Sequence, residues 1–92
     1  MKRGSKNAKQ LERHFKGVAS HWRIRILTSV AKEPGLSLDA LWQTLEGNEK
    51  TISEHTRKLV HAGLIDKTYL GRTVQHNLSP YGKIFYNFIQ SL

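Results

Sequence analysis

The hydrophobic pattern of this 92-residue sequence changes its period once and then changes back, and this constrains the fold more than any other feature. Up to Gly63, apolar residues recur every three or four positions, the spacing of one face of an α-helix. From Leu64 to Leu78 the period is two, as in a half-buried strand, and the helical spacing then returns. The pattern predicts four helices, a β-hairpin and a fifth helix.

Local signals set the expected boundaries of these elements. The first helix is predicted from Ala8, and the later helix starts are marked by N-capping residues or by Pro at the first helical position: Ser20 or His21, Ser37, Asn48 and Ser79-Pro80. The expected helix stops are Pro34-Gly35 and Gly63, the latter as a left-handed residue. The hairpin is predicted to turn at Leu70-Gly71-Arg72.

The composition excludes several classes of protein. The sequence has no cysteine, so neither a disulfide framework nor a thiolate metal site can stabilise the fold. Its 38% of hydrophobic residues is enough for one compact core. No apolar run reaches the length of a membrane span or of a signal-peptide core. We therefore expect one soluble intracellular domain.

Basic residues are concentrated at the two ends of the sequence. Fifteen Lys and Arg against seven Asp and Glu give a net charge of +8, with +5 in residues 1–20 and −1 in residues 46–66. Residues 1–7 are predicted to form a flexible basic arm, followed by a single domain over residues 8–92. Such an excess of positive charge favours a polyanionic partner, for which nucleic acid is the obvious candidate.

The third and fourth predicted helices are joined by a short Gly-containing turn and followed by the hairpin. This order predicts a mainly α fold of the winged helix-turn-helix type. In that fold the fourth helix, over about residues 48–62, would enter the major groove of double-stranded DNA, with the 64–78 hairpin as the wing beside it. The predicted DNA-binding residues are Asn48, Glu49, Lys50, Thr51, Ser53, Glu54, Arg57, Lys58 and Arg72.

The chemistry of these side chains separates contacts with bases from contacts with the DNA backbone. Lys50 can donate to a guanine or a phosphate, and Glu54 can accept from a cytosine amino group. Base edges are contacted from the first turns of the helix, which hold Glu49, Lys50, Ser53 and Glu54. The residues expected to contact phosphates are Asn48 and Thr51, helped by the N–H groups of the helix start, and Arg57, Lys58 and Arg72.

Four stretches of the sequence resemble the ArsR-type repressors. Residues 22–27, 51–59 and 61–65 are similar to that family's T-R-L-R-I-L, S-T-V-S-R-H-L-x-x-L and x-A-G-L-V, and residues 71–82 to its wing pattern G-R-x-V-x-Y-x-L-T-P-x-G. The resemblance implies a homodimeric transcriptional repressor of the prokaryotic cytoplasm, associated with the nucleoid and paired through its first and last helices. The family's cysteine, His and carboxylate metal ligands are absent here, which indicates a member that does not sense metal.

The apolar stripe of the last helix is wide and aromatic, and a 92-residue domain has little surface with which to cover it. A two-fold interface with the stripe of the first helix would bury both. The predicted dimer-interface residues are Leu11, Phe15, Val18, Tyr81, Ile84, Phe85, Phe88, Ile89 and Leu92.

Catalytic and metal-binding functions have no support in the sequence. It shows no nucleophile–base pair, phosphate-binding glycine loop or carboxylate dyad. His14 and His21 are about 10.5 Å apart along a continuous helix, too far to share one ion. His76 is expected to be a partly buried, hydrogen-bonded imidazole. We expect no enzyme activity, metal or cofactor, and no feature identifies an effector.

Two other functions stay open from the sequence alone. Glu49 and Glu54 would be repelled by phosphate, so the same fold could serve as a protein-interaction module. Alternatively, the basic arm with Lys2, Arg3 and Lys6 could bind DNA or RNA without sequence specificity.

Overall fold

The computed structural model describes residues 6–92, which form five α-helices and one antiparallel β-hairpin. The helices are α1 (Ala8–Val18), α2 (His21–Lys32), α3 (Leu38–Leu45), α4 (Glu49–His61) and α5 (Pro80–Gln90). The strands β1 (Ile65–Leu70) and β2 (Thr73–Leu78) lie between α4 and α5. This is the order that the hydrophobic period predicts.

The core lies between α2, α3 and α4 and is closed by the first residues of the hairpin and by α5. Its completely buried aliphatic side chains are Ile26, Leu27, Val30, Leu41, Ile52, Leu59 and Leu64. The helices α2, α3 and α4 therefore contribute the apolar positions that their period assigns to one face.

Side-chain caps confirm the predicted starts of α3, α4 and α5. Ser37, Asn48 and Ser79 each accept a hydrogen bond from a backbone N–H of the first turn. Gly63 has a φ of 79° after the end of α4, as predicted. Asn7 also belongs to a cap, because its Oδ1 accepts from the Gln10 N–H at 2.9 Å. Of the predicted arm, Asn7 is thus part of the α1 cap, whereas residues 1–5 lie outside the described residues.

The helix α1 packs on the domain through a face that is not its apolar stripe. The buried residues of α1 are His14 and Gly17. A Cβ atom at Gly17 would overlap the Ala62 Cβ, so the glycine allows α1 to approach the end of α4 closely. His14 is 2% exposed, and its Nδ1–H donates to the Ala62 carbonyl at 2.7 Å.

The carbonyls that follow Ala62 are held by the start of α5. The Ser79 hydroxyl donates to the Gly63 carbonyl at 2.6 Å, and the Ser79 N–H donates to the Leu64 carbonyl at 3.0 Å. Gly82 lies directly against this second carbonyl, where a Cβ atom would overlap the Leu64 oxygen. The end of α4 and the beginning of α5 are therefore in backbone contact.

The hairpin turns over two residues rather than the three that the sequence predicts. Leu70 pairs with Thr73, which leaves Gly71 and Arg72 as the turn. The expected tip was one residue too long, since Leu70 is the last paired residue of β1. Gly71 has a φ of 62° and Arg72 has a negative φ, the combination found in type II′ turns.

The base of the hairpin is fixed by an additional backbone pairing. The His76 N–H donates to the Leu36 carbonyl, and the Gly35 N–H donates to the His76 carbonyl, both at 2.9 Å. The buried His76 ring donates through Nδ1 to the same Leu36 carbonyl at 2.8 Å, which confirms the predicted role of this histidine.

None of the helices within residues 6–92 combines the length and the apolar character that a membrane span requires.

We expect Gly82→Ala to destabilise the protein by about 2 kcal/mol, because the added methyl group overlaps a backbone oxygen that cannot rotate away. Helix propensity alone predicts the opposite sign, a gain of up to about 1 kcal/mol. Urea unfolding followed by circular dichroism measures the difference. The exposed neighbour Lys83→Ala is the control and should change stability by less than about 0.5 kcal/mol. An unchanged midpoint for Gly82→Ala would contradict the close contact.

Candidate nucleic-acid interface

The turn between α3 and α4 consists of Glu46, Gly47 and Asn48. Glu46 has a φ of 53° and is the only non-glycine residue with a left-handed backbone in the described part of the chain. Gly47 brings the turn close to α2, because a Cβ atom there would lie 3.0 Å from the Ile52 side chain and 3.1 Å from the Trp22 ring. The short connection therefore holds α3 and α4 in one geometry.

Arg25 braces this turn from α2. Its guanidinium donates to the Leu45 carbonyl at 3.3 Å and lies over the Trp22 ring at 4.6 Å. A cation at the last carbonyls of a helix also interacts favourably with the negative end of the helix dipole. The hydrophobic period of α2 predicts that Arg23 and Arg25 are turned away from the domain, but Arg25 stabilises the end of α3.

Asn48 caps α4 with its side chain. Its Oδ1 accepts from the Lys50 N–H at 2.9 Å and from the Thr51 N–H at 3.2 Å. These two N–H groups are therefore occupied, whereas the sequence suggests that they help to bind a phosphate. Only the Asn48 Nδ2 group remains as a donor from this side chain.

The helix α4 separates cleanly into an inner and an outer face. Ile52, Thr56 and Leu59 are buried, and the Thr56 hydroxyl donates to the Ile52 carbonyl at 2.7 Å. Thr51 and Ser53 are half-buried. The predicted DNA-binding residues of α4 that are exposed, besides the Asn48 cap, are Glu49, Lys50, Glu54, Arg57 and Lys58.

The charges of this outer face are not neutralised within the domain. Among residues 6–92, the ion pairs shorter than 4.0 Å are those of Glu12 with Lys9 and Lys16 on α1. The charged side chains of α4 form none in this part of the chain. Their hydrogen-bonding groups are therefore available to a partner.

The wing carries Arg72 at its tip, where the side chain is exposed. A surface groove of about 380 Å³ runs between the tip and the start of α3, and Arg72 and Asp39 both line it. Sequence reasoning missed two neighbours of the tip, Tyr69 and Leu70, which are 69% and 54% exposed. The sequence does contain a signal for this exposed pair, because two large apolar residues stand directly before the turn glycine.

Arg23 is not turned away from the domain as the sequence suggests. Its Nε–H donates to His55 Nδ1 at 3.1 Å, and its NH1 group donates to the carbonyls of Lys16 and Gly17 at 2.9 and 3.3 Å. Burial lowers the pKa of His55, and the positive charges of Arg23 and Lys58 lower it further. The neutral imidazole is thus the favoured form in this position.

A second surface is formed by the apolar stripes of α1 and α5. Leu11, Phe15, Ile84, Phe85 and Phe88 line a wholly apolar groove of about 260 Å³. The aromatic rings of Phe15 and Phe85 meet edge to face, with centroids 5.0 Å apart.

The predicted dimer-interface residues differ in how far their side chains are exposed. Phe85 is a core residue at 8% exposure, and Val18 and Ile89 are half-buried against the core. The exposed members of the set are Leu11, Phe15, Tyr81, Ile84, Phe88 and Leu92. The Lys6 ammonium lies 3.9 Å from the centroid of the Tyr81 ring, and the His14 ring stacks on Tyr81 with the ring centroids 5.0 Å apart.

The described residues contain no group of three or more His, Cys, Asp or Glu side chains able to hold a metal ion. The two buried histidines, His14 and His76, each donate through Nδ1 to a backbone carbonyl. The geometry in residues 6–92 therefore offers polar contacts rather than a metal centre.

No protein-family model and no curated protein sequence matches the chain. Solved structures do match it over almost its whole length. HlyU from Vibrio cholerae is 25% identical, with a TM-score of 0.82 and coverage of 95% of both chains. The transcriptional regulator HlyU from Vibrio vulnificus is 23% identical, with a TM-score of 0.77 and coverage of 92% of this chain and 88% of that one.

A third similar structure comes from Mycobacterium bovis. It is a homodimeric winged helix-turn-helix DNA-binding domain, described as a possible ArsR-family transcriptional regulator. It is 20% identical, with a TM-score of 0.80, and the match covers 98% of this chain and 88% of that domain. The chain has the winged helix-turn-helix fold, and the Vibrio vulnificus protein is a transcriptional regulator. This agrees with the resemblance to ArsR-type repressors in the sequence.

We expect Glu46→Gly to stabilise the protein by about 1 kcal/mol, because glycine adopts a left-handed backbone without the steric cost that a Cβ atom brings. The measurement is the urea midpoint of unfolding. Glu46→Ala removes the same carboxylate but keeps the Cβ atom, so it should stay within about 0.5 kcal/mol of the natural sequence. Equal stabilisation by both variants would show that the carboxylate, and not the backbone, carries the cost.

Proposed function

We propose that this chain is a homodimeric transcription regulator, acting as a repressor, that binds specific sequences in duplex DNA. In the proposed complex α4 lies in the major groove and the hairpin contacts the DNA beside it. Such a protein would act at the nucleoid, in the cytoplasm. The observation that carries the proposal is the outer face of α4, exposed and without ion pairs in the described chain, on a helix-turn-helix with an arginine at the wing tip.

The first two turns of α4 would read the bases. Lys50 and Glu54 lie one turn apart on the outer face, so one can donate to guanine while the other accepts from cytosine. Ser53 lies between them and is half-buried, which limits it to a short-range contact. Glu49 is the remaining acceptor on the first turn.

The later residues of α4 and the wing tip would bind the DNA backbone. Arg57, Lys58 and Arg72 are exposed cations, and contacts of this type position a protein on DNA without reading its sequence. The Asn48 Oδ1 accepts from the helix N–H groups, and its Nδ2 group is the donor for a phosphate. The net charge of +8 adds a long-range attraction that depends on salt.

The carboxylates of Glu49 and Glu54 restrict how α4 can dock. Near a phosphate a carboxylate is repelled, whereas facing a cytosine amino group it accepts a hydrogen bond. Both side chains are exposed and have no cation within 4.0 Å in residues 6–92. We infer that they penalise wrong registers on DNA and so contribute to specificity.

The apolar groove between α1 and α5 would be covered by a second copy of the chain. Its exposed side chains are large, with Phe15 and Phe88 both 54% exposed and Ile84 61% exposed. Around a two-fold axis the groove of one copy packs against the same groove of the other copy. No second complementary surface is therefore required. The similar Mycobacterium bovis domain is homodimeric, which supports a homodimer here.

Selection from a random duplex pool by the purified protein should enrich a palindromic site, because a two-fold dimer presents two copies of α4 to the DNA. On that site Lys50→Ala should weaken binding by about 1–3 kcal/mol for each half-site and relax the preference at one position of each. Arg72→Ala should instead lower the affinity for all sequences and reduce the salt slope by about two, one for each copy of the chain. Fluorescence anisotropy at several salt concentrations measures both effects.

Lys83→Ala is the control for these variants, since it removes an exposed lysine from α5, away from the proposed DNA surface. Weak and equal binding to random and selected duplexes would refute specific recognition. Comparable affinity for RNA would favour a non-specific binder. Unchanged function after charge reversal at Lys50 and Arg72 would favour a protein-interaction module.

We expect Ile84→Glu to convert the dimer to a 10.6 kDa monomer, because it places a charge in the centre of an apolar interface. Sedimentation velocity measures the mass. Leu70→Glu makes a comparable change at the wing tip, where the leucine is 54% exposed, and should leave the dimer intact. A natural chain that sediments as a monomer at all concentrations would rule out this interface.

A further inference from the structure

One guanidinium connects three helices next to the proposed DNA-reading helix. Arg23 lies on α2 and donates to two carbonyls in the last turn of α1 and to the His55 ring on α4. His55 follows Glu54 directly and precedes Arg57 by two residues, so it shares a helical turn with both proposed kinds of DNA contact. Both Arg23 and His55 are half-buried.

We propose that the Arg23–His55 pair is a positioning element that holds α4 in register with α1, and that it works only while the His55 ring is neutral. The inference rests on the proposed function, in which α4 reads DNA and α1 carries part of the dimer interface. Neither residue needs to touch DNA for this role. Their effect would be on the placement of the outer face of α4 relative to the second copy.

The hydrogen bond itself requires the neutral ring. His55 Nδ1 accepts the Arg23 Nε–H at 3.1 Å, so this nitrogen must carry a lone pair and the ring proton must be on Nε2. A protonated ring has an N–H on both nitrogens and cannot accept. Protonation would also leave two positive groups facing each other across the same short distance.

The surroundings of His55 oppose its protonation. From α2 the ring is faced by Arg23 and His21, and on its own helix by Lys58 and Glu54. Burial lowers the pKa of His55 from its usual 6.5, Arg23 and Lys58 lower it further, Glu54 acts in the opposite direction and His21 adds a small decrease. On α1 the Arg23 guanidinium donates to the backbone carbonyls of Lys16 and Gly17.

The sign of the pH dependence follows from this lowered pKa. A histidine with a pKa lower in the folded than in the unfolded chain binds fewer protons when folded. Its stabilising contribution is therefore complete above the usual value of 6.5 and is lost as the pH falls below it towards the lowered pKa. Acidification should break the Arg23–His55 hydrogen bond before it unfolds the protein, while the contact of His14 with Ala62 is kept.

The test measures the affinity for the selected duplex at constant ionic strength, between about pH 7.5 and pH 5, on either side of the ordinary histidine pKa. For the natural chain we expect a loss of about tenfold, the size expected when one hydrogen bond that holds α4 in place is lost. His55→Asn keeps an acceptor near the position of Nδ1 but does not titrate. It should bind like the natural chain at the higher pH and lose little affinity at the lower one.

Two further variants separate positioning from other effects. His61→Asn makes the same substitution at an exposed histidine of the same helix, so it should keep the natural pH profile. His55→Ala removes the acceptor altogether and should bind weakly at every pH. Circular dichroism and sedimentation at each pH establish that every variant is folded and dimeric when its affinity is measured.

The outcomes distinguish this inference from the proposed function. A natural chain that binds no duplex specifically at the higher pH overturns the proposed function and the positioning role with it. Specific binding with a pH profile that His55→Asn leaves unchanged overturns the positioning role alone. Binding by His55→Ala as tight as that of the natural chain at the higher pH would also overturn the positioning role and leave the proposed function standing.

Discussion

Three successive backbone carbonyls at the end of α4 hold the rest of the domain in place. Ala62 accepts from His14 of α1, Gly63 accepts from the Ser79 hydroxyl, and Leu64 accepts from the Ser79 N–H. A buried carbonyl left without a donor costs about 1–3 kcal/mol, so α1 and the start of α5 cannot shift independently of this segment. The helix α4 is thereby tied to both elements that carry the apolar stripes.

This connection makes the two proposed surfaces parts of one rigid body. If two copies pair through α1 and α5, the position of each α4 relative to the two-fold axis follows from contacts inside a single domain. The separation of the two DNA half-sites is then a property of the fold and not of a flexible linker. The Arg23–His55 hydrogen bond adds a second connection, at the middle of α4.

The sequence predicted every helix and both strands because capping residues and hydrophobic period agree along most of the chain. It could not predict partners distant in the chain. Periodicity assigns Arg23 to the solvent side, but its acceptor His55 is 32 positions away and becomes a neighbour only after folding. The sequence also did not predict the inner face of α1, because its buried residues His14 and Gly17 are not part of an apolar pattern. The outer face of α4 was predictable because exposure there follows directly from the buried positions, and the Asn48 cap was predictable because Asn is a preferred residue directly before a helix.

The tip of the hairpin differs from every other glycine-containing turn of the described chain, because an added Cβ at Gly71 meets no atom within 4 Å. Extra residues inserted there would disturb neither the core nor the pairing with Leu36 at the base of the hairpin. In the proposed complex a longer tip would extend the contact of the hairpin along the duplex, while the side chains of α4 stayed the same. In the lineage of such a protein, the length of DNA covered and the bases chosen could therefore change independently, one by insertion and the other by substitution.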